Sequence, residues 1–488
     1  MARRAGRGAA VWRAVVRSAV VGAVLGGSSA VLPGPAAVAA PDVPSYAFAD
    51  DVRSAPAATG TTGAARLEPG ATYRSSLQTR DTGGGAAGDT DGDTGEGQGK
   101  GRAYYRLELD GVSDVYVAVT AIPRAEAVLS PGDGMSVSVQ DADSTTCSTD
   151  SVTVGAARSP QPLTAWGARE LLPGKGLCQK AGTYYVVVER TGTSTGTGTG
   201  GADTDLADAQ PWDLELAPVS EAPLAKAAAT SVPEVWDSAT PTPLVDEPAG
   251  VRGGAGFTAA AAVRQGVWSD EIVPGQTLFY KVPVDWGRQL SATVDLGSAD
   301  KSSGYVVDAL DLTLYNPVRA SVKETGIGYG GSQKSASLPP VPPVGYANRY
   351  APTDPTKSLR FAGSYYLVVH LAAQVAEGFG DGPYGLTLRV RLGGSTRAGP
   401  GYARQSVPRG FFDVGAPDPV LSVGAGAGAA GADAAGDGAS GDDPAMKAVA
   451  VGGIGSGSVL LTVLGVWTLT ARRRAAAQMR VNAQNPTA

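Results

Sequence analysis

At 488 residues the chain is long enough for two or three domains. Its formal net charge of −6 is spread over scattered acidic residues, which excludes the basic stripe that a nucleic-acid partner requires. One histidine and two cysteines exclude histidine-rich metal sites and most catalytic constellations. The sequence therefore points away from nucleic-acid proteins and metalloenzymes.

The N-terminus has the order of a secretory signal peptide. A basic start is followed by an apolar stretch over residues 19–32 and by the small residues Ala37-Val38-Ala39, an A-x-A cleavage pattern. We predict a signal peptide over 1–40, cleaved after Ala39 or Ala40. The basic start comprises Arg3, Arg4, Arg7, Arg13 and Arg17.

Two central segments, 58–218 and 256–392, contain short motifs that recur in the same order. Successive pairs are offset by 181, 175, 175 and 172 residues, which predicts a tandem repeat. Tyr73 and Leu77 also correspond to Trp268 and Ile272. The paired motifs are 181–188 with 362–369, 104–107 with 279–282, 136–141 with 311–316, and 212–216 with 384–388.

The repeated motifs are short, rich in β-branched or aromatic residues, and bounded by Gly, Pro, Asp or Asn. Several alternate with period two, as in Val137/Val139 and Leu312/Leu314, which places one set of side chains on one face of a sheet. Strands with a single apolar face bury it by stacking two sheets. We therefore predict an all-β protein with two tandem β-sandwich domains of jelly-roll or immunoglobulin-like type.

The motif order resembles that of bacterial pre-peptidase C-terminal domains. It consists of an aromatic pair, then D-L-x-L-Y-x-P at 311–317, then A-G-[ST]-Y-Y-[VL]-V-V, then Y-x-L-x-[LV] at 384–388. The second segment fits better, since the first has Gln140-Asp141 and Trp212 where the pattern has Tyr-Asn and Tyr. The resemblance implies small β-sandwiches that act as non-catalytic accessory modules. No catalytic domain accompanies them here.

Cys147 and Cys178 lie 31 residues apart in a chain predicted to leave the cytoplasm, which favours a disulfide. It would tie the strand around 136–140 to the strand that begins at Ala181. Closing a loop of that length contributes about 3–4 kcal/mol in the chain-entropy estimate.

The sequence motifs that match catalytic or nucleotide-binding patterns lack the flanking structure that those patterns require. Gly192-Thr-Ser-Thr-Gly196 has the letters of a nucleophile elbow, but a Gly/Thr run replaces the helix that should follow. Gly326-x-Gly328-x-x-Gly331 lacks the βαβ context of a dinucleotide site, and we interpret it as a loop. His370, the single histidine, is predicted to be a strand residue, and no nucleophile is marked for a triad.

Two further patterns leave binding open. Asp89-x-Asp91-Gly92-Asp93 lacks the Gly and acid that an EF-hand needs at positions six and twelve. We favour a solvated acidic loop, with loose calcium binding as the alternative. In each of the pairs Tyr184-Tyr185 and Tyr365-Tyr366, one ring should face the core and one should face outward, which is too little to predict a glycan site.

The C-terminal region predicts a membrane anchor. Residues 448–471 are an uncharged run of 24, long enough for a spanning helix, between Lys447 and Arg472-Arg473-Arg474. The basic cluster places the C-terminus in the cytoplasm. Residues 393–444, rich in Gly, Ala and Asp, predict a flexible stalk.

Together these features predict a type I, single-pass protein of the cell membrane with most of the chain outside the cell. The Gly/Ala/Arg-rich composition is typical of a high-GC bacterium such as an actinomycete. We expect a non-catalytic binding or scaffolding protein of the envelope, without metal or cofactor, with an envelope protein or wall glycan as partner. The alternatives are an accessory subunit of an extracellular hydrolase and a glycan-binding adhesin. The predicted segments are a signal peptide 1–40, an extension 41–57, a first sandwich 58–218 with an acidic loop 81–101, a linker 219–255, a second sandwich 256–392, a stalk 393–444, a transmembrane helix 445–471 and a tail 472–488.

Overall fold

The structure is a computed structural model that describes residues 46–79, 101–192, 210–231, 235–301 and 303–414. The predicted signal peptide and transmembrane helix lie outside these residues, as do most of the acidic loop and the Gly192–Gly196 motif beyond Gly192. Within the described part of the chain, no helix is both long and apolar enough to cross a bilayer.

The first sandwich consists of two five-stranded sheets. One has the strand order β1-β3-β10-β5-β8 and the other has the order β2-β4-β9-β6-β7. The strands are β1 Arg53–Ser54, β2 Ala65–Arg66, β3 Tyr73–Leu77, β4 Arg102–Leu109, β5 Asp114–Ile122, β6 Gly134–Asp141, β7 Thr146–Thr153, β8 Leu163–Arg169, β9 Gly182–Thr191 and β10 Trp212–Glu221.

The second sandwich repeats this plan, with sheet orders β11-β13-β20-β15-β18 and β12-β14-β19-β16-β17. A 3-10 turn, Tyr346–Tyr350, and two short helices, α1 Asp354–Lys357 and α2 Val375–Phe379, lie in its loops. The strands are β11 Ala249–Gly250, β12 Ala261–Ala262, β13 Gly266–Ile272, β14 Thr277–Val284, β15 Arg288–Leu296, β16 Val306–Tyr315, β17 Ser321–Tyr329, β18 Lys334–Ser337, β19 Gly363–Leu371 and β20 Tyr384–Gly394.

The two sandwiches have the same strand order, which confirms the predicted tandem repeat. Adding ten to each strand number of the first converts both of its sheets into those of the second. The five motif pairs fall on equivalent strands, for example 181–188 on β9 and 362–369 on β19. The fold is therefore a tandem of two β-sandwiches.

Alternation along the strands builds each core. In β14, Leu278, Tyr280, Val282 and Val284 point inward and are buried between the sheets of the second sandwich. Strand β4 does the same in the first sandwich with Ala103, Tyr105, Leu107 and Leu109. The alternate residues of each strand point to the other side of the sheet and make their contacts outside the core.

The two sandwiches pack against each other within one compact unit of the chain. An apolar cluster crosses the boundary and joins Tyr116 of β5 and Val219 of β10 to Phe361 and Phe412. A second cluster surrounds Phe257 at the side of β14 and β19. The outer face of the sheet β1-β3-β10-β5-β8 is thus an interface with the second sandwich, and it is called the junction below.

Candidate functional site: the junction and the linker groove

A buried ion cluster at the junction centres on Glu221, the last residue of β10. Arg349 of the 3-10 turn donates to Glu221 Oε2 at 2.7 Å and to Asp114 Oδ2 at 3.3 Å. The hydroxyls of Tyr116 and Tyr402 donate to the two oxygens of Glu221, each at 2.8 Å. One guanidinium of the second sandwich therefore joins two carboxylates of the first, which we call the Glu221 cluster.

The electrostatics of this cluster follow from burial. Burial and the neighbouring Glu221 raise the pKa of Asp114 to about 6, against the opposing effect of Arg349. Burial also disfavours the charge of Arg349, but the pKa of its guanidinium is raised because Glu221 and Asp114 surround it. Burial, and then Glu221, raise the pKa of the Tyr116 phenol well above its usual range, so it remains a hydrogen-bond donor.

A second buried ion pair joins Arg319 to Glu215, on the outer face of β10. Tyr46 donates a hydrogen bond to the same carboxylate at 3.2 Å, and the Arg319 guanidinium lies 4.5 Å from the centre of the Phe257 ring. The turn that follows β16 presents Arg319 to the junction. Asn316 stabilises that turn, because its side chain accepts a hydrogen bond from the backbone of Ala320.

His370 forms a third polar contact across the junction. Its Nε2 lies 2.9 Å from the Ser159 hydroxyl of the first sandwich, and its Nδ1 lies 2.9 Å from Thr277 Oγ1. Ser159 is 0% exposed and His370 2% exposed. Burial lowers the pKa of His370 to about 4, so the imidazole is neutral near pH 7. The prediction that His370 is a strand residue is confirmed, since it lies in β19.

The segment that follows β20 returns to the first sandwich. Val407 exchanges two backbone hydrogen bonds with Ser220, and Ala403 donates to the carbonyl of Pro223. Phe412 stacks on Phe361 with ring centres 5.0 Å apart. The sequence assigns this part of the chain to the stalk. Residues 395–414 instead pack on the junction, because aromatic side chains within the Gly-rich run supply apolar contacts.

A cavity of about 360 Å³ lies inside the junction. Its walls include the apolar side chains of Val318 and Phe411 together with the ring of Tyr366. Lys281 and Arg264 also line it. Tyr366 is therefore the outward ring of its pair, as alternation predicts, while Tyr365 is buried in the core.

A larger groove, of about 1450 Å³, lies between the linker and the second sandwich. Trp236 and Pro241 of the linker form one wall. Trp286, Tyr346 and Arg397 are among the residues of the opposite wall. We call this space the linker groove.

The predicted disulfide between Cys147 and Cys178 is present. It joins β7, the edge strand beside β6, to the loop that precedes β9. The cross-link thus secures the excursion between β7 and β9 that contains β8 and Trp166.

The interpretation of Gly326-x-Gly328-x-x-Gly331 as a loop is wrong for its first two glycines, which lie in β17. A β-carbon at Gly326 would lie 2.5 Å from Asp311 Oδ1, and one at Gly328 would lie 2.0 Å from the Tyr305 hydroxyl. These glycines therefore make room for neighbouring side chains on an edge strand. No nucleotide-binding turn is formed.

The acidic motif at Asp89–Asp93 lies outside the described residues. Among the residues that the structure describes, no group of three or more His, Cys, Asp or Glu side chains is placed to hold a metal ion.

Sequence reasoning did not identify the junction. Glu215 and Glu221 occupy β10, where period-two alternation places them on the side away from the core, a pattern typical of solvent-exposed residues. Both are buried because a second sandwich covers that face. The burial of such a charged residue can be recognised only when the surface that packs against its sheet is known.

Comparisons with known proteins do not assign a family. No protein-family model matches the chain, and no curated protein does. Similar solved structures include the tandem CBM22 domains of Xyn10C from Paenibacillus barcinonensis, at 10% identity over 60% of this chain and 83% of that one, with a TM-score of 0.16. The CUB1-EGF-CUB2 region of human MASP-1/3 has 9% identity, covering 65% and 99% of the two chains, with a TM-score of 0.16. The ANX1 ectodomain of Arabidopsis thaliana has 11% identity, covering 68% and 91%, with a TM-score of 0.17.

Proposed function

We propose that this chain is a non-catalytic binding or scaffolding protein of the bacterial envelope, held at the outer face of the cell membrane by one C-terminal helix. The signal-like N-terminus and the uncharged run over 448–471 support this topology. In this proposal the sandwiches are relatives of pre-peptidase C-terminal domains and act as non-catalytic modules.

The junction is the observation that carries the scaffolding role. Domains on one chain move relative to each other unless their interface is large or well bonded. Here Arg319–Glu215 and the Glu221 cluster bury charges across the interface, and each charge requires the opposite sandwich as its partner. Because an unpaired buried charge is costly, the sandwiches are held in one orientation. Two surfaces at a fixed spacing are what a scaffold needs.

The surroundings of His370 support a non-catalytic role. The Ser159–His370 contact has the distance of a nucleophile–base pair, but both residues are buried and Thr277 replaces the acid that orients the base in a triad. A fluorophosphonate probe should leave the full-length protein unlabelled. Labelling that disappears in Ser159→Ala would instead support the hydrolase alternative.

Cross-linking in intact cells tests the scaffolding proposal directly. The protein is purified through a tag on its C-terminus, and cross-linked partners are identified by mass spectrometry. A stoichiometric envelope protein supports scaffolding. Recovery of the protein alone contradicts it.

Added protease tests the topology in the same cells. The sandwiches should be digested while the tag on a cytoplasmic tail survives. Loss of the tag in unbroken cells would overturn the proposed orientation.

An adhesin that binds wall glycan is the second candidate, and the linker groove is the observation that favours it. Aromatic rings and hydrogen-bond donors line that groove in a volume large enough for an extended ligand. Sedimentation of the protein with purified wall material distinguishes this candidate from a scaffold that binds protein alone.

A further inference from the structure

The linker groove is built from two independent parts of the chain. Residues 228–231 and 235–242 pass over the end of the second sandwich, and loops beside β15, β20 and the 3-10 turn form the floor. At about 1450 Å³, the groove exceeds the 300–1,000 Å³ typical of sites for compact small molecules. That volume is large enough for a ligand of several units.

The part of the linker that lines the groove, residues 228–231 and 235–242, makes few polar contacts with the second sandwich, whereas β11, further along the linker, pairs with β13. Among the described residues, Gln289 Nε2 donates to the carbonyl of Asp237 at 2.9 Å, and an Arg391 nitrogen donates to the carbonyl of Thr242 at 2.6 Å. Val235 is 90% exposed, so the linker buries little apolar surface there. Trp236, beside it, is half-buried and faces the groove. A ligand can therefore contact Trp236 without displacing a packed core.

The chemistry of the walls selects the ligand class. The indole ring of Trp236 offers a flat apolar surface, while Trp286, also in the lining, is 8% exposed and belongs to the core of the second sandwich. The exposed Arg397 guanidinium adds hydrogen-bond donors, and the backbone of Arg397 is bonded to the carbonyl of Trp286. Further polar side chains in the lining are Gln289, Ser291, Thr353, Thr356 and Ser395.

This combination fits a sugar better than an apolar ligand. A wholly apolar ligand would desolvate those hydroxyls and the guanidinium without replacing their hydrogen bonds, which is unfavourable. A pyranose or furanose ring has C–H groups that pack on an aromatic face and hydroxyls at its edge that bond to the polar groups. The charged side chains that line the groove are Arg391, Arg397 and Asp237, so its net charge is small. A small net charge does not favour a highly charged ligand.

We propose that the linker groove binds an oligosaccharide, with Trp236 as the stacking surface and Arg397 as a hydrogen-bond donor to the sugar hydroxyls. This inference rests on the proposed role in the envelope and names the class of ligand for its binding function. The linker forms one wall of the site, so the ligand is held between the linker and the second sandwich.

The test uses the full-length protein and three soluble probes, tetrasaccharides of N-acetylglucosamine, glucose and galactose. Binding is followed by calorimetry and by tryptophan fluorescence. Saturable binding of at least one tetrasaccharide is expected. Trp236→Ala should weaken it about tenfold, equivalent to about 1.4 kcal/mol, and Arg397→Ala should also weaken it.

The control variants change similar side chains outside the groove. Trp268 is half-buried on β13 and bonds the carbonyl of Arg264, and Arg66 is exposed on β2. Trp268→Ala and Arg66→Ala should retain affinity within about twofold, well short of the tenfold loss expected for Trp236→Ala. Melting curves check that each variant is folded.

Two results overturn the inference. One is the absence of saturable binding for all three tetrasaccharides. The other is binding that Trp236→Ala leaves unchanged, which would place the sugar elsewhere. If no tetrasaccharide binds but cross-linking still recovers an envelope partner, only this inference is overturned. If no tetrasaccharide binds and cross-linking recovers no partner, the proposed function is overturned as well.

Discussion

Replacing Arg349 with alanine perturbs the junction at its most heavily bonded cation. The guanidinium contacts Glu221 at 2.7 Å, Asp114 at 3.3 Å and the Tyr346 hydroxyl at 2.6 Å. Alanine leaves the two carboxylates buried near each other with no cation between them. Removing one partner of a buried ion pair costs about 3–5 kcal/mol.

The cost converts into a measurable shift of the melting temperature. If roughly 300 residues unfold as one cooperative unit at about 2.1 cal/mol/K per residue, the entropy of unfolding is about 0.6 kcal/mol/K. A loss of 3–5 kcal/mol then lowers the Tm by about 5–8 °C. Circular dichroism and calorimetry of the full-length protein measure this shift, and hydrogen exchange should show faster exchange in β5 and β10.

Lowering the pH tests whether the unpaired carboxylates cause the loss of stability in Arg349→Ala. Without the cation, the pKa of Asp114 should rise further above its present value of about 6, so a proton neutralises one carboxylate in mildly acidic solution. The penalty of Arg349→Ala should therefore be smaller at pH 5 than at pH 7.5.

The matched control is Arg74→Ala. Arg74 pairs with Asp213 at 2.8 Å, but both side chains are about half exposed. Exposed pairs contribute about 0–1 kcal/mol, so the Tm should fall by less than about 2 °C. The reasoning about the junction is refuted if Arg349→Ala lowers the Tm no more than Arg74→Ala does.

Three further sets of substitutions test other parts of the structure by urea or thermal unfolding of the full-length protein. Replacing Cys147 and Cys178 with serine should cost about 3–4 kcal/mol, because the 31-residue loop becomes free in the unfolded state, and an unchanged midpoint would contradict this. The folded-state pKa of His370 is about 4 against 6.5 unfolded, so only the unfolded state gains a proton between these values and stability falls as the pH falls through that window. Relative to His370→Gln, the wild type should lose about 2.5 kcal/mol between pH 7.5 and pH 4.5, and parallel pH profiles would refute the assignment. The equivalent glycines Gly182 and Gly363 have φ of 150° and 132°, so alanine should strain either one by about 1–3 kcal/mol. Gly363→Ala should cost more, since its β-carbon would lie 2.8 Å from a backbone carbonyl of the C-terminal segment while Gly182 has open space, and equal costs would refute this.

The sequence alone was sufficient to predict the repeated β-sandwiches. Burying one face of a strand requires period-two alternation, and that requirement is visible in motifs such as Leu312/Leu314 without any structure. The same order of motifs in both halves predicted the same strand order. The cysteine pair was predictable as well, because only two thiols are available.

Only the tertiary structure decided whether the outer face of each sheet is exposed to solvent or buried against the other sandwich. Glu215, Glu221 and His370 occupy positions that alternation assigns to the outside of a sandwich, and nothing in their local sequence marks them as buried. Their burial depends on contacts between residues about 100 to 200 positions apart, such as those of Ser159 with His370 and of Glu215 with Arg319. Periodicity describes an element against its own core, whereas the junction and the linker groove arise from how the two cores and the linker pack together.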